Sequence, residues 1–275
     1  MVGSRTASTL YHYLGDLGYP LDSFERILDF ACGCGRTLNF LSPYVSTSAT
    51  LWGCDYDEEL VSWCQRNFPS IRAMKDQSDP PLEWEDGFFD LVYAISFLTH
   101  LPETRQKQWL AELDRVTRDD GLILVTLIGP KQARKAGVWL GRRGFRFKVY
   151  GEAFNHQVAY QSKDYVLKEW SNLFDVLEYV ECGLSDFQDM VLLGKKGTRR
   201  KKRLFRPRCI PKELEEVYHQ REDLWRHFDS RGIGRADSSW RNLDLLDWAL
   251  FNGAFKHESL KRLSYLEQFK VVETD

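Results

Sequence analysis

The 275-residue chain sets 38 Lys and Arg against 40 Asp and Glu, a formal net charge of −2, and 43% of it is hydrophobic. That balance gives no global attraction for nucleic acid or membranes, and no apolar run reaches the roughly 18 residues of a membrane span. Six scattered cysteines and an N-terminal segment without an apolar h-region (MVGSRTASTLYHYLGDLGYP) make a reduced cytoplasmic protein the expectation.

Residues 8–22 predict a helix and a turn. Short apolar runs follow at RILDF, TLWGC, FFDLVYAI and GLILVTLI, with helix-like stretches TLNFLSPYV, EELVSWCQRNF and TRQKQWLAELDRVT between them. The last sets Trp109, Leu110, Leu113 and Val116 at helical spacing, a face to be buried. Strands alternating with helices imply βαβ units, hence a parallel sheet covered on both sides. Near residue 130 the pattern changes. Residues 131–150 hold seven Lys or Arg and no acid; DYVLKEWSNLF then reads as a helix, and FDVLEYVECGLSDFQDMVLLGKK as two antiparallel strands joined by a loop containing Gly183. Nine basic residues in the fourteen from Lys195 to Arg208 mark a boundary. The expected organisation is a domain over 1–195, a basic linker over 196–208 and a helical extension over 209–275, a surface for a homodimer or a partner enzyme.

ILDFACGCGRT, residues 27–37, is the informative stretch. A strand ending in Asp29 runs into Ala31-Cys32-Gly33-Cys34-Gly35, where glycine lets backbone turn tightly and approach a ligand, and the following helix offers unpaired N–H groups. A dinucleotide site needs a third glycine at position 38, which is Leu38. Cys32 and Cys34 lack a second pair to complete a zinc site, so no metal is expected.

Asp-x-Ala-x-Gly-x-Gly resembles the first motif of the class I S-adenosylmethionine-dependent methyltransferases, with Ala31 at the first small position. LWGCDYDEEL, GFFDLVYAISFLTHLPE and WLAELDRVTRDDGLILVTLIG resemble later segments of that family in order, so that the likeness covers residues 8–195. It implies an α/β Rossmann-like fold, with a seven-stranded, mostly parallel sheet ending in an antiparallel hairpin and S-adenosyl-L-methionine as cofactor. It also implies roles. Asp29, Ala31, Gly33 and Gly35 would line the methionine part, Asp55 would take the ribose and Tyr56 would lie against adenine. The loop 77–82 would flank the adenine, and Ile95 and Ser96 would sit near the sulfonium.

A hydroxyl acceptor benefits from a base, and histidine titrates in the right range. His100, after the fourth strand, and His156, in a segment that in similar proteins folds over the site, are the candidates, with Tyr160 beside them. The family resemblance implies a small-molecule or carbohydrate acceptor, O-methylated, and segments like HQVAYQS and DFQDMVLL in similar proteins place it by analogy in surface-glycan synthesis. The basic 131–150 segment leaves an anionic acceptor or RNA as the alternative, although no nucleic-acid module accompanies it. A non-catalytic binding or assembly subunit is the remaining reading.

Overall fold

The computed structural model describes residues 3–151 and 156–205; the extension expected over 209–275 lies outside them. In chain order come α1 (Gly3–Asp16), β1 (Arg26–Phe30), α2 (Arg36–Leu41), β2 (Thr50–Asp55), α3 (Glu58–Asn67), β3 (Ile71–Lys75), β4 (Phe89–Ala94), α4 (Glu103–Val116) and β5 (Thr117–Leu127). After them follow α5 (Pro130–Lys135), β6 (Phe145–Val149), β7 (Gln157–Gln161), α6 (Lys163–Glu169), β8 (Phe174–Leu184) and β9 (Gln188–Lys195).

The seven-stranded sheet has the order β3-β2-β1-β4-β5-β9-β8. Its first five members are parallel, and β9 runs antiparallel to both β5 and β8. This is the expected α/β class. The strand order reverses between β1 and β4, which opens a crevice beyond their carboxyl ends.

Alternation along β1 sorts its side chains. Leu28 and Phe30 enter a core shared with Val92, Ile123 and Val125 and with Trp109, Leu110, Leu113 and Val116 of α4. The helical spacing read from the sequence is therefore a buried face, and each such side chain contributes roughly 1.5–3 kcal/mol. α6 adds Tyr165 and Val166 to the same core. The opposite face, toward which Asp29 alternates, is covered by α2 and α3. α3 starts because the Asp57 carboxylate accepts from the N–H groups of Glu59 and Leu60, at 2.9 and 3.2 Å.

Two expectations change. Gly183 is inside β8; the turn to β9 is residues 185–187, with Ser185 and Asp186 in the left-handed region at φ 55° and 54°. The cause is a register irregularity between Val180 and Leu184, where the Asp189 carboxylate holds the Cys182 N–H at 2.8 Å. In addition, the 131–161 region is not merely a basic segment. It folds as α5 and the separate antiparallel pair β6–β7. That pair is tied to the main sheet by a bridge between Tyr160 and Ile128, and the Gln161 N–H donates to the Ile128 carbonyl at 2.9 Å.

Residues 196–205 run back over the amino ends of the strands. Arg200 is the centre of this contact, its side chain only 9% exposed. It donates to the Ser23 carbonyl at 2.6 Å, lies 4.1 Å from the Phe24 ring centroid and faces Asp90. Nearby, the Arg203 N–H donates to the Gly18 carbonyl and Phe205 meets the edge of Tyr11. Arg200→Ala is expected to lower unfolding free energy in urea by about 1–3 kcal/mol. Lys201→Ala, at an exposed position of the same basic run, should stay within about 0.5 kcal/mol.

Candidate active site

β1, β2 and β3 each deliver an acid to the same end of the sheet: Asp29 within β1, Asp55 as the last residue of β2 and Asp76 directly after β3. Asp29 is 4% exposed, and burial pushes its carboxyl up to about 8, with the neighbouring Asp55 charge adding to the shift and Arg36 opposing it. Tyr93, its register partner on β4, sets a fully buried phenol against it. Burial likewise raises Asp55, although its hydrogen bonds from backbone counter this, and carries Asp76 up to about 6. Three carboxyls that resist ionising together make a site ready for a cation or for hydroxyl donors.

Between Asp29 and α2 the backbone adopts the left-handed region at alternate residues: Ala31 at φ 58°, Gly33 at 56° and Gly35 at 74°. This alternation lines successive N–H groups into a concavity. The two glycines serve different ends. A Cβ on Gly33 would meet nothing within 4 Å, so its bare Cα faces open space. A Cβ on Gly35 would lie 2.7 Å from the Cys64 sulfur, so this glycine permits the close approach of α3. Ala31 accepts the same conformation with a methyl group in place, at a cost of roughly 1–2 kcal/mol.

Asp55 fastens the turn. Its Oδ2 accepts from the Gly33 N–H at 2.8 Å and its Oδ1 from the Asp57 N–H at 3.0 Å, which leaves lone pairs on both oxygens. Tyr56, next along, is 59% exposed. Loop 77–82 is anchored to α4: Arg105 donates to the Ser78 carbonyl at 2.6 Å, and Glu112 accepts from the Leu82 N–H at 2.7 Å. After β4, Ile95 and Ser96 turn the chain away. Ser96, at φ 60°, is held by Thr126, which accepts its N–H at 2.8 Å, and by Gln188, bonded to its hydroxyl.

Residues 27–121, from β1 to the start of β5, match the methyltransferase domain family model. These residues are therefore similar to a methyltransferase domain. S-adenosylmethionine is the cofactor that the motif resemblance implies. The chain is 32% identical over 113 residues to the tRNA (carboxymethyluridine(34)-5-O)-methyltransferase of Arabidopsis thaliana, a stretch covering 41% of this chain and 26% of that protein. The chain spans 26–44% of the length of the curated relatives it matches. A solved S-adenosylmethionine-dependent methyltransferase from Clostridium acetobutylicum shares the fold, with TM-score 0.51, 12% identity, and coverage of 70% of this chain and 92% of that one. So does the Burkholderia thailandensis 1,6-didemethyltoxoflavin-N1-methyltransferase, with TM-score 0.50, 16% identity and coverage of 70% and 78%; its structure holds S-adenosylhomocysteine.

The residues fit that cofactor. Gly33 has room where a side chain would intrude, Asp55 keeps acceptor capacity, and Asp29 is a buried acid able to meet an ammonium group. Burial holds the Cys32 and Cys54 thiols well above their usual pKa, so they remain protonated, apolar filler. Among the described residues no group of three or more His, Cys, Asp or Glu is placed to hold a metal ion.

On the acceptor side, the β6–β7 hairpin carries Tyr160 and touches His100. His100 Nδ1 lies 2.8 Å from the Gln157 carbonyl, three residues before Tyr160. A carbonyl can only accept, so Nδ1 carries the proton and Nε2 the lone pair. Burial holds this imidazole below 6.5, against the pull of the same hydrogen bond. Tyr160 is 5% exposed, its hydroxyl 3.2 Å from that of Tyr150, and burial pushes it up to about 12, so it acts as a neutral phenol. His156 is exposed at the hairpin's turn, beside Gly151. Below them, Gln106 donates to the carbonyls of Leu98 and Leu101 and accepts from Gln161, tying hairpin, α4 and the post-β4 turn into one buried network.

Asp76, Tyr93 and Gln188 are site residues that sequence reasoning missed. Asp76 had one available signal, an acid directly after the third strand; Tyr93 and Gln188 had none.

Proposed function

We propose that this protein transfers a methyl group to a hydroxyl of a small-molecule or carbohydrate acceptor in the cytoplasm, with His100 as general base. The observation that carries the reading is the half-buried His100, its tautomer set by Gln157 and its pKa held low by burial. Bound S-adenosylmethionine supplies an electrophilic methyl on a sulfonium, a reaction that mostly needs alignment. Asp29 holds the ammonium end, the Gly33 backbone admits the methionine chain, and Asp55 accepts from the ribose hydroxyls. Neutral Nε2 of His100 takes the acceptor proton as its oxygen attacks, while the Tyr160 phenol donates to position the acceptor. His156 is the alternative base. A reducing location is supported by the five described cysteines, all free.

A second reading, RNA as acceptor, is favoured by the partial similarity to a tRNA methyltransferase and by the basic 131–150 segment. Isotope-labelled cofactor decides: label recovered as a base-stable methyl ether on a small molecule supports the first reading, and label on RNA overturns it. Cofactor binding has its own test. Asp55→Ala should weaken S-adenosylmethionine by about 1.5–3 kcal/mol. Gly33→Val should weaken it further, since a branched side chain would fill the cradle and strain a left-handed φ. Calorimetric affinities unchanged in both variants would remove Asp55 and Gly33 from the cofactor site.

A further inference from the structure

The surface formed by α5, the following loop and β6 has no role in the hydroxyl-transfer reading so far, yet its chemistry is specific. Lys131, Arg134, Lys135, Arg142, Arg146 and Lys148 are all exposed. Among them stands Trp139, 79% exposed, with Tyr150 at 59%. An indole exposed among cations offers a flat face on which a planar ring can stack. Two of the surrounding cations are accounted for. Arg143 is bound by Glu103, and Lys131 lies within the field of Asp189. No described acid pairs with Arg146 or Lys148.

The arrangement is directional. The Arg146 Nε donates to the Trp139 carbonyl at 3.2 Å, which keeps that guanidinium beside the exposed indole. Along β6 every second residue shares a face, so Arg146, Lys148 and, just beyond the strand, Tyr150 form one row of about 13 Å. At its far end the Tyr150 hydroxyl meets Tyr160, and the Tyr150 N–H donates to the His156 carbonyl at 2.8 Å. The next residue, Gln157, holds His100. The row therefore runs from an exposed aromatic, past two cations, to the end of the hairpin whose Gln157 carbonyl meets the proposed base.

We propose that this row binds the nucleoside diphosphate part of an activated acceptor, with the base stacked on Trp139, the phosphates on Arg146 and Lys148, and the attached sugar presenting its hydroxyl to His100. Aromatic stacking with guanidinium–phosphate pairing is the chemistry such a group requires. The assignment rests on the hydroxyl-transfer reading, and it narrows the acceptor to a phosphate-linked, nucleotide-bearing molecule. Inorganic phosphate uses only the two cations, and RNA would use an extended basic track.

The test is calorimetry on the full chain with UDP, ADP, inorganic phosphate and a short single-stranded RNA, alongside S-adenosylmethionine. At least one nucleoside diphosphate should bind more tightly than inorganic phosphate. Arg146→Gln combined with Lys148→Gln should weaken it by about tenfold or more, as should added salt. Trp139→Ala should erase the margin over inorganic phosphate, and S-adenosylmethionine affinity should be unchanged in all variants. Equal binding of nucleotide and phosphate, an unaltered nucleotide affinity in the double variant, or RNA binding that exceeds the nucleotide's and is lost with it would each overturn the proposal. Failure of S-adenosylmethionine to bind the parent protein would instead strike the methyltransferase reading, leaving the nucleotide result to stand on its own.

Discussion

His100→Ala is expected to lower turnover on the natural acceptor by about 10²–10⁴-fold, the range lost with a general base, while cofactor affinity stays within a few-fold. The affinity should hold because His100 is placed by the hairpin through Gln157 and takes no part in the β1–β2 crevice. The pH profile gives a second readout. Burial disfavours the imidazolium, so the apparent pKa on the acid limb should lie below 6.5. Activity should fall as pH drops through that value, because only neutral Nε2 accepts a proton. His156→Ala, at an exposed position, should then cost little. A His100→Ala enzyme retaining the parent's rate and acid limb would move the base elsewhere, with His156 next in line.

The other large effect centres on Asp29, where stability and binding should separate. Burial penalises the charge and pushes its carboxyl up to about 8, against about 3.9 for a free aspartate. Between those values the unfolded chain holds fewer protons than the folded one. Stability without cofactor must therefore decline as pH rises from about 4 to about 8 and level off above. Asp29→Asn removes that decline and should stabilise the cofactor-free protein at pH 7 by on the order of 2–4 kcal/mol. The same change should weaken S-adenosylmethionine severely. In the parent, pairing the ammonium with an ionised Asp29 should release close to one proton at pH 7, seen as a buffer-dependent calorimetric enthalpy. An asparagine variant no more stable than the parent, or a proton release that survives the substitution, would show that Asp29 is not the linked group.

How legible these features were in sequence depends on how local their cause is. The β1 turn could be read because its constraints fall on consecutive residues: an acid at a strand end, then small residues at alternate positions, all three of which adopt left-handed backbone. Asp55 followed from the same logic one strand later. Asp76 did not, because it precedes a polar loop with further acids and nothing in the spacing separates it from them. The β6–β7 hairpin was hidden by length. Five-residue strands, one carrying an Arg and a Lys and the other bounded by glutamines, carry weak β signals, and their place in the fold is fixed by Ile128 and Gln106, outside both strands. Arg200 was concealed differently. Within a run of cations that reads as a solvated tail, one side chain is 9% exposed over Phe24 and the others are not, and only the docking of the chain reveals which.

The hairpin's fastening has a consequence for how the protein breathes and diversifies. Its named ties to the main sheet and to α4 run through the bridge at Ile128, Gln161 on Gln106 and His100 on Gln157. The five parallel strands, by contrast, are locked by continuous ladders. A unit outside those ladders, anchored to the core by Phe145 and Ala159, can open without global unfolding. Amide exchange across residues 145–149 and 157–161 should thus be faster than in β1 and β4, and slow down when acceptor binds. The same separability suits divergence, since residues 129–161 could be recast for another acceptor while the cofactor crevice kept its geometry.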